Sequence, residues 1–145
     1  MIQIDTRLTP QSLAPLARRV FEVSASKIRF LQKRWRQSDG TPVFTVNGRY
    51  TSRGWTEWTE GFVYGSALLQ FDATGDKAML KLGREGTLRR MASHVTHVGV
   101  HDHGFNNVST YGNLRRLHRE GRIPANPWEV HFYDLALKAS GAVQA

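Results

Sequence analysis

Apolar residues recur at helical spacing in Leu13, Leu16, Val20, Ile28, Leu31 and Trp35, a period that predicts an amphipathic helix. Thr9-Pro10 precedes them, an N-cap residue with proline at the first helical position. Ser38-Asp39-Gly40-Thr41-Pro42 stops the pattern. Residues 41–54 then read as loop or a short hairpin, because Val43, Phe44 and Val46 lead into Asn47-Gly48, a strong turn dipeptide.

From about Glu60 to Ala73 the chain is nearly continuously apolar: Phe62, Val63, Tyr64, Ala67, Leu68, Leu69, Phe71. Such a helix is buried on most sides. Thr74-Gly75-Asp76 follows, with Gly75 suited to a left-handed C-cap and Asp76 to the next N-cap. So short a link makes the next helix, about Lys77 to Ser93, an antiparallel neighbour. Val95 to Asn107 reads as a non-helical loop, with a fourth helix from near Val108 that ends by Gly121. Ile123-Pro124-Ala125-Asn126-Pro127 is a loop, and a fifth helix runs from Trp128. The pattern is all-α, a single helical domain over residues 1–145.

The composition, 40% hydrophobic and 22% charged, excludes intrinsic disorder. No cysteine occurs in the sequence, which removes disulfides, thiolate chemistry and cysteine-type zinc sites. No signal-type or membrane-spanning apolar run occurs, so a cytoplasmic protein with no membrane partner is expected. The formal net charge of +8 leaves a basic binding module open, for nucleic acid or a protein partner. Its cations would come from Lys27 to Arg36 and Arg115 to Arg122. No nucleic-acid reader motif accompanies them, so no nucleic-acid partner is expected. Trp35 and Trp128 are expected in packing, and Arg53, Arg115, Arg116 and His118 in solvent.

The densest chemistry lies in His97-Val98-Gly99-Val100-His101-Asp102-His103-Gly104-Phe105-Asn106-Asn107. Three readings stand. His94, His97, His101, His103 and Asp102 carry donors that a metal accepts, but at a spacing that matches no standard site. Asp102, flanked by histidines and floored by Gly104 and Phe105, is a candidate for acid–base chemistry. Or the stretch is a capped turn, with Asp102 accepting backbone N–H bonds.

Four pieces stand in order: Trp58-Thr59-Glu60-Gly61-Phe62, a buried helix, Thr74-Gly75-Asp76, and His101-Asp102-His103-Gly104-Phe105. This order resembles the N-terminal part of the unsaturated glucuronyl hydrolases, glycoside hydrolase family 88, and the related unsaturated rhamnogalacturonyl hydrolases. The resemblance covers roughly Trp55 to Tyr111. It implies an (α/α)6 toroid of helical hairpins with the active site at one mouth of the inner ring. It also implies removal of a terminal unsaturated uronic acid from lyase-generated oligosaccharides. These enzymes hydrate the vinyl-ether double bond rather than displace at the anomeric carbon, unlike the usual two-carboxylate glycosidase. The hemiketal formed then opens and releases the sugar.

By that resemblance Asp102 is the catalytic-site aspartate, Trp58 packs against the substrate and His101 orients or bounds the site. The partner is an unsaturated uronyl oligosaccharide, and no metal or organic cofactor is implied. The family's second aspartate, its general acid and base, has no match in this sequence; Asp134 lies in the wrong context. Twelve helices of about a dozen residues each exceed 145 residues, so the toroid is expected to be incomplete here. An exposed hairpin edge would then favour self-association.

Overall fold

The structure, a computed structural model, describes residues 5, 7–36, 40–124 and 126–145. It is mainly helical, with one small antiparallel hairpin of strands. Helix α1 spans Pro10–Arg34. Thr9 closes a reciprocal capping box with Ser12, each side chain bonding the other's backbone N–H. The predicted stop at Ser38-Asp39 lies outside the described residues. Only the C-terminal half of α1 meets the core, through Ala25 and Ile28. Leu13, Leu16 and Val20, which the pattern placed on the buried face, stand exposed.

The hairpin forms as the turn dipeptide predicts. Strands β1 (Thr41–Val46) and β2 (Arg49–Arg53) pair antiparallel, with a register irregularity between Pro42 and Thr45. Asn47 and Gly48 both adopt positive φ, 51° and 72°, the conformation that a two-residue hairpin of native twist requires.

Helices α2 (Glu60–Thr74) and α3 (Lys77–Arg90) form the expected αα-hairpin. Gly75 caps α2 at φ 73°, and Asp76 accepts from the Ala78 and Met79 amides. Glycines set how closely this hairpin packs. A β-carbon at Gly86 would overlap the Tyr64 ring, and one at Gly61 would overlap the Phe105 carbonyl and the Asn106 backbone.

After a short helix α4 (Ala92–Val95) the chain departs from expectation. The histidine loop ends early, because a π-helix runs over Gly104–Gly112 and continues directly into α5 (Asn113–Arg119). Gly99, Gly104 and the paired asparagines read as loop by composition. Asn106 and Asn107 are instead buried helical residues whose amides bond to neighbouring elements. In the wider π-turn, Thr110 Oγ1 and Asn113 Nδ2 donate to the carbonyls of Asn106 and Ser109, supplying partners within the loosened ladder.

Helix α6 (Pro127–Gln144) begins with Asn126 accepting from the Trp128 and Glu129 amides. The core gathers Ala67, Leu68 and Phe71 of α2, Met79 of α3, Met91, Tyr111, Leu114 and Leu117, Ile123, and Tyr133 and Ala136 of α6. Trp128 is not a packing residue: in the first turn of α6 it remains 73% exposed. Among the described residues no helix is long and apolar enough to cross a membrane.

Candidate functional site

Trp58 lies just before α2, where the strand hairpin gives way to helix. Thr59 Oγ1 donates to the Pro42 carbonyl at 3.0 Å, which joins this segment to β1. The Trp58 ring meets Phe62 edge-on at 5.7 Å and Phe105 at 5.5 Å, and those two phenylalanines meet at 5.7 Å. All three rings are substantially exposed, Trp58 by 39%. They form an aromatic surface across the start of α2 and the start of the π-helix.

Asp102 lies two residues before that π-helix, whose N-cap is His103. Its carbonyl accepts from the Asn106 amide at 3.1 Å, one turn on. Its carboxylate side chain is 19% exposed, and His101 Nε2 lies 3.7 Å from Oδ1. The His101 side chain is 95% exposed, so it flanks the carboxylate from solvent.

The remaining histidines part ways. His103 is buried: Nε2 donates to the His97 carbonyl at 2.6 Å, and Nδ1 meets Ser140 Oγ of α6 at 2.8 Å. With Nε2 as donor, the neutral ring accepts the serine proton at Nδ1. Asn107 Nδ2 donates to the same Ser140 Oγ at 2.9 Å and to the His94 carbonyl at 3.0 Å. Gln144 Nε2 adds a bond to the Val100 carbonyl at 3.1 Å. Helix α6 therefore bonds the histidine stretch at Val100, His103 and Asn107, on either side of Asp102.

The His94 ring has a separate set of partners. Its Nε2 lies 3.2 Å from Glu60 Oε2, with Thr41 Oγ1 at 3.3 Å from the same oxygen and Arg90 Nε at 3.7 Å from Oε1. Trp55 covers His94 edge-on at 5.4 Å and His97 at 5.0 Å. Among the described residues no three His, Asp or Glu side chains come together as a metal would require.

Sequence reasoning missed the Glu60–His94 pair and the His103–Ser140–Asn107 network. Both join residues far apart in the chain, and no local pattern marks them. Three residues assigned to solvent, His118, Arg115 and Arg116, are corrected by tertiary pairing. His118 has a side chain only 2% exposed, with Nε2 3.5 Å from Glu129 Oε2. Burial depresses its pKa below 6.5, against the opposing pull of Glu129. Arg115 pairs with Asp134 at 2.6 Å, and Arg116 with Asp72 at 2.7 Å. Burial also pushes the Tyr111 phenol up to about 12, with Tyr133 adding to the shift.

The second basic run is thus largely committed within the fold, since Arg122 also pairs with Asp72, at 3.5 Å. No family model, curated protein or solved structure matches this chain.

Proposed function

We propose that the chain forms one wall of a carbohydrate site that binds an unsaturated uronyl oligosaccharide for hydration of its vinyl-ether bond. The observation that carries this reading is the exposed Trp58–Phe62–Phe105 surface, whose Phe105 follows the largely buried Asp102 by three residues in the chain. An exposed tryptophan face is a stacking platform for a sugar ring. A carboxylate fixed by its backbone beside such a platform meets the polar edge of the ring it holds. The α2–α3 hairpin is the unit that an (α/α)6 toroid repeats, and the order of its motifs supports the same architecture.

In the reaction, water adds across the double bond. One vinyl carbon gains a proton and the carbon bearing the ring oxygen gains the hydroxyl. The resulting hemiketal opens and the leaving sugar departs as an alcohol. In this reading Trp58 stacks on the unsaturated ring, Asp102 orients it, and His101 meets its outward polar groups from solvent. The second carboxylate that performs proton transfer in the resembled family has no counterpart among these 145 residues. The roles assigned here are therefore holding and orienting.

Binding tests this directly. An unsaturated disaccharide from a hyaluronan, chondroitin or pectin digest should quench tryptophan fluorescence saturably. Trp58→Ala should weaken that binding by about ten-fold, and a change of that size follows from loss of one stacking contact. Equal quenching by wild type and Trp58→Ala would remove the platform from the account.

A further inference from the structure

A second cleft lies on a different face of α2, where the end of α1 and the start of β1 cross α2 and α3. It encloses about 230 Å³ and is lined by Trp35, Glu60, Tyr64, Glu85, Arg89 and Arg90, among others. Neither Trp58, Phe105 nor Asp102 belongs to it.

Its walls are held in place before any ligand arrives. Trp35 Nε1 donates to the Gly40 carbonyl at 2.8 Å, and its ring meets Tyr50 edge-on at 6.1 Å. The Tyr64 ring packs against the bare backbone of Gly86, where a β-carbon would overlap it. Glu60 is fixed by Thr41 and His94.

Its charges are balanced inside the protein. Glu60 faces Arg90 at 3.7 Å, and Glu85 lies 3.6 Å from Arg89 and 3.9 Å from Lys81. With each carboxylate already beside a cation, the cleft offers an ionic ligand little net attraction. Its lining carries hydrogen-bonding groups of both kinds, carboxylate oxygens with spare lone pairs and guanidinium N–H groups, with the Tyr64 hydroxyl joined to Arg90. A hydroxyl group is both donor and acceptor, so a ring carrying several hydroxyls matches this mixture, and the Trp35 face suits its apolar side.

We infer that the cleft between Trp35, Tyr64, Glu60 and Arg90 binds a single uncharged sugar ring, at a site separate from the Trp58–Asp102 surface. The inference rests on the charge balance and fixed walls of this cleft and not on the hydration reading.

The test is an NMR titration of the whole chain with glucose, galactose and N-acetylglucosamine, with glycine as a zwitterionic control. At least one sugar should give saturable shifts at the Trp35 indole N–H and the Tyr64 and Gly86 amides, and glycine should give none there. Glu85→Gln, at the rim, should weaken binding by roughly ten-fold. Trp35→Ala should do at least as much, and if that variant fails to fold, Glu85→Gln decides. No saturable shift with any sugar would overturn the proposal. So would shifts confined to Trp58, Phe105 and Asp102, equal binding of glycine, or an unchanged affinity in Glu85→Gln. Failure here would leave disaccharide binding at Trp58 untouched, since the two experiments report on different residues.

Discussion

Asn106 Oδ1 accepts the Gly61 amide at 2.9 Å and so ties the first turn of α2 to the π-helix. The same amide group reaches the Glu57 carbonyl through Nδ2, at 3.5 Å. These contacts hold the Trp58 segment against the start of the π-helix. They require backbone to approach backbone, which the missing side chain of Gly61 permits. Gly65 repeats the arrangement one turn on, against Ser109.

Gly61→Ala should therefore destabilise the protein by about 1–3 kcal/mol, the usual cost of forcing an added carbon into a packed contact. Gly141→Ala should do the reverse. Gly141 lies within α6 and a β-carbon there meets open space, so alanine should stabilise the helix by about 0.5–1 kcal/mol. Urea unfolding of the two variants checks both signs.

Ser140 is the single side chain of α6 that His103 and Asn107 share. Ser140→Ala removes the hydroxyl that His103 Nδ1 and Asn107 Nδ2 share in a buried setting. His103 Nδ1 then keeps only its long 3.4 Å contact with Asn107 Nδ2, which retains its bond to the His94 carbonyl. The expected loss is about 1–3 kcal/mol. Hydrogen exchange should quicken at residues 97–107 more than in the α2–α3 hairpin. Uniform quickening across both would show that the Ser140 bonds have no local role.

His118 predicts a pH dependence. Its folded pKa lies below the unfolded value of 6.5 because burial disfavours the charged ring. Glu129 favours protonation, while Arg84 and Arg115 oppose it. The unfolded chain therefore takes up the proton first as pH falls. Stability from this group is intact well above pH 6.5 and declines as pH drops through 6.5, until the folded pKa is passed. The slope from one such proton is at most about 1.4 kcal/mol per pH unit. His118→Gln should flatten the fall in Tm between neutral and mildly acidic buffer; an unchanged slope would assign the pH dependence to other groups.

Much of the fold was legible because its signals are local. Thr9-Pro10 capped α1, Asn47-Gly48 turned the hairpin, and Thr74-Gly75-Asp76 joined α2 to α3, each by chemistry within a few residues. The π-helix was not legible, since Asn106 and Asn107 become helical through partners on α2, α4 and α6 that no window of sequence contains. The uncovered face of α1 was hidden for the opposite reason: Leu13, Leu16 and Val20 have helical periodicity whether or not a neighbour covers them. At the candidate site the motif pointed to Trp58 and Asp102; Trp58 meets Phe105, which follows Asp102 by three residues in the chain. The motif could not tell which histidine was structural. His101 and His103 flank the same aspartate, yet one stands in solvent and the other is buried against Ser140.

The function proposed for the Trp58–Asp102 surface is hydration of an unsaturated uronyl group. The most direct measurement follows the ultraviolet absorbance of that vinyl ether in disaccharides from hyaluronan, chondroitin and pectin lyase digests. It uses the protein in its natural reading frame, beside Asp102→Asn. Absorbance should fall with at least one substrate, and a folded Asp102→Asn variant, in which the orienting carboxylate is lost, should slow that fall by about 100-fold. Unchanged absorbance with all three substrates and a folded protein would contradict the proposed function, as would an Asp102→Asn variant as fast as wild type.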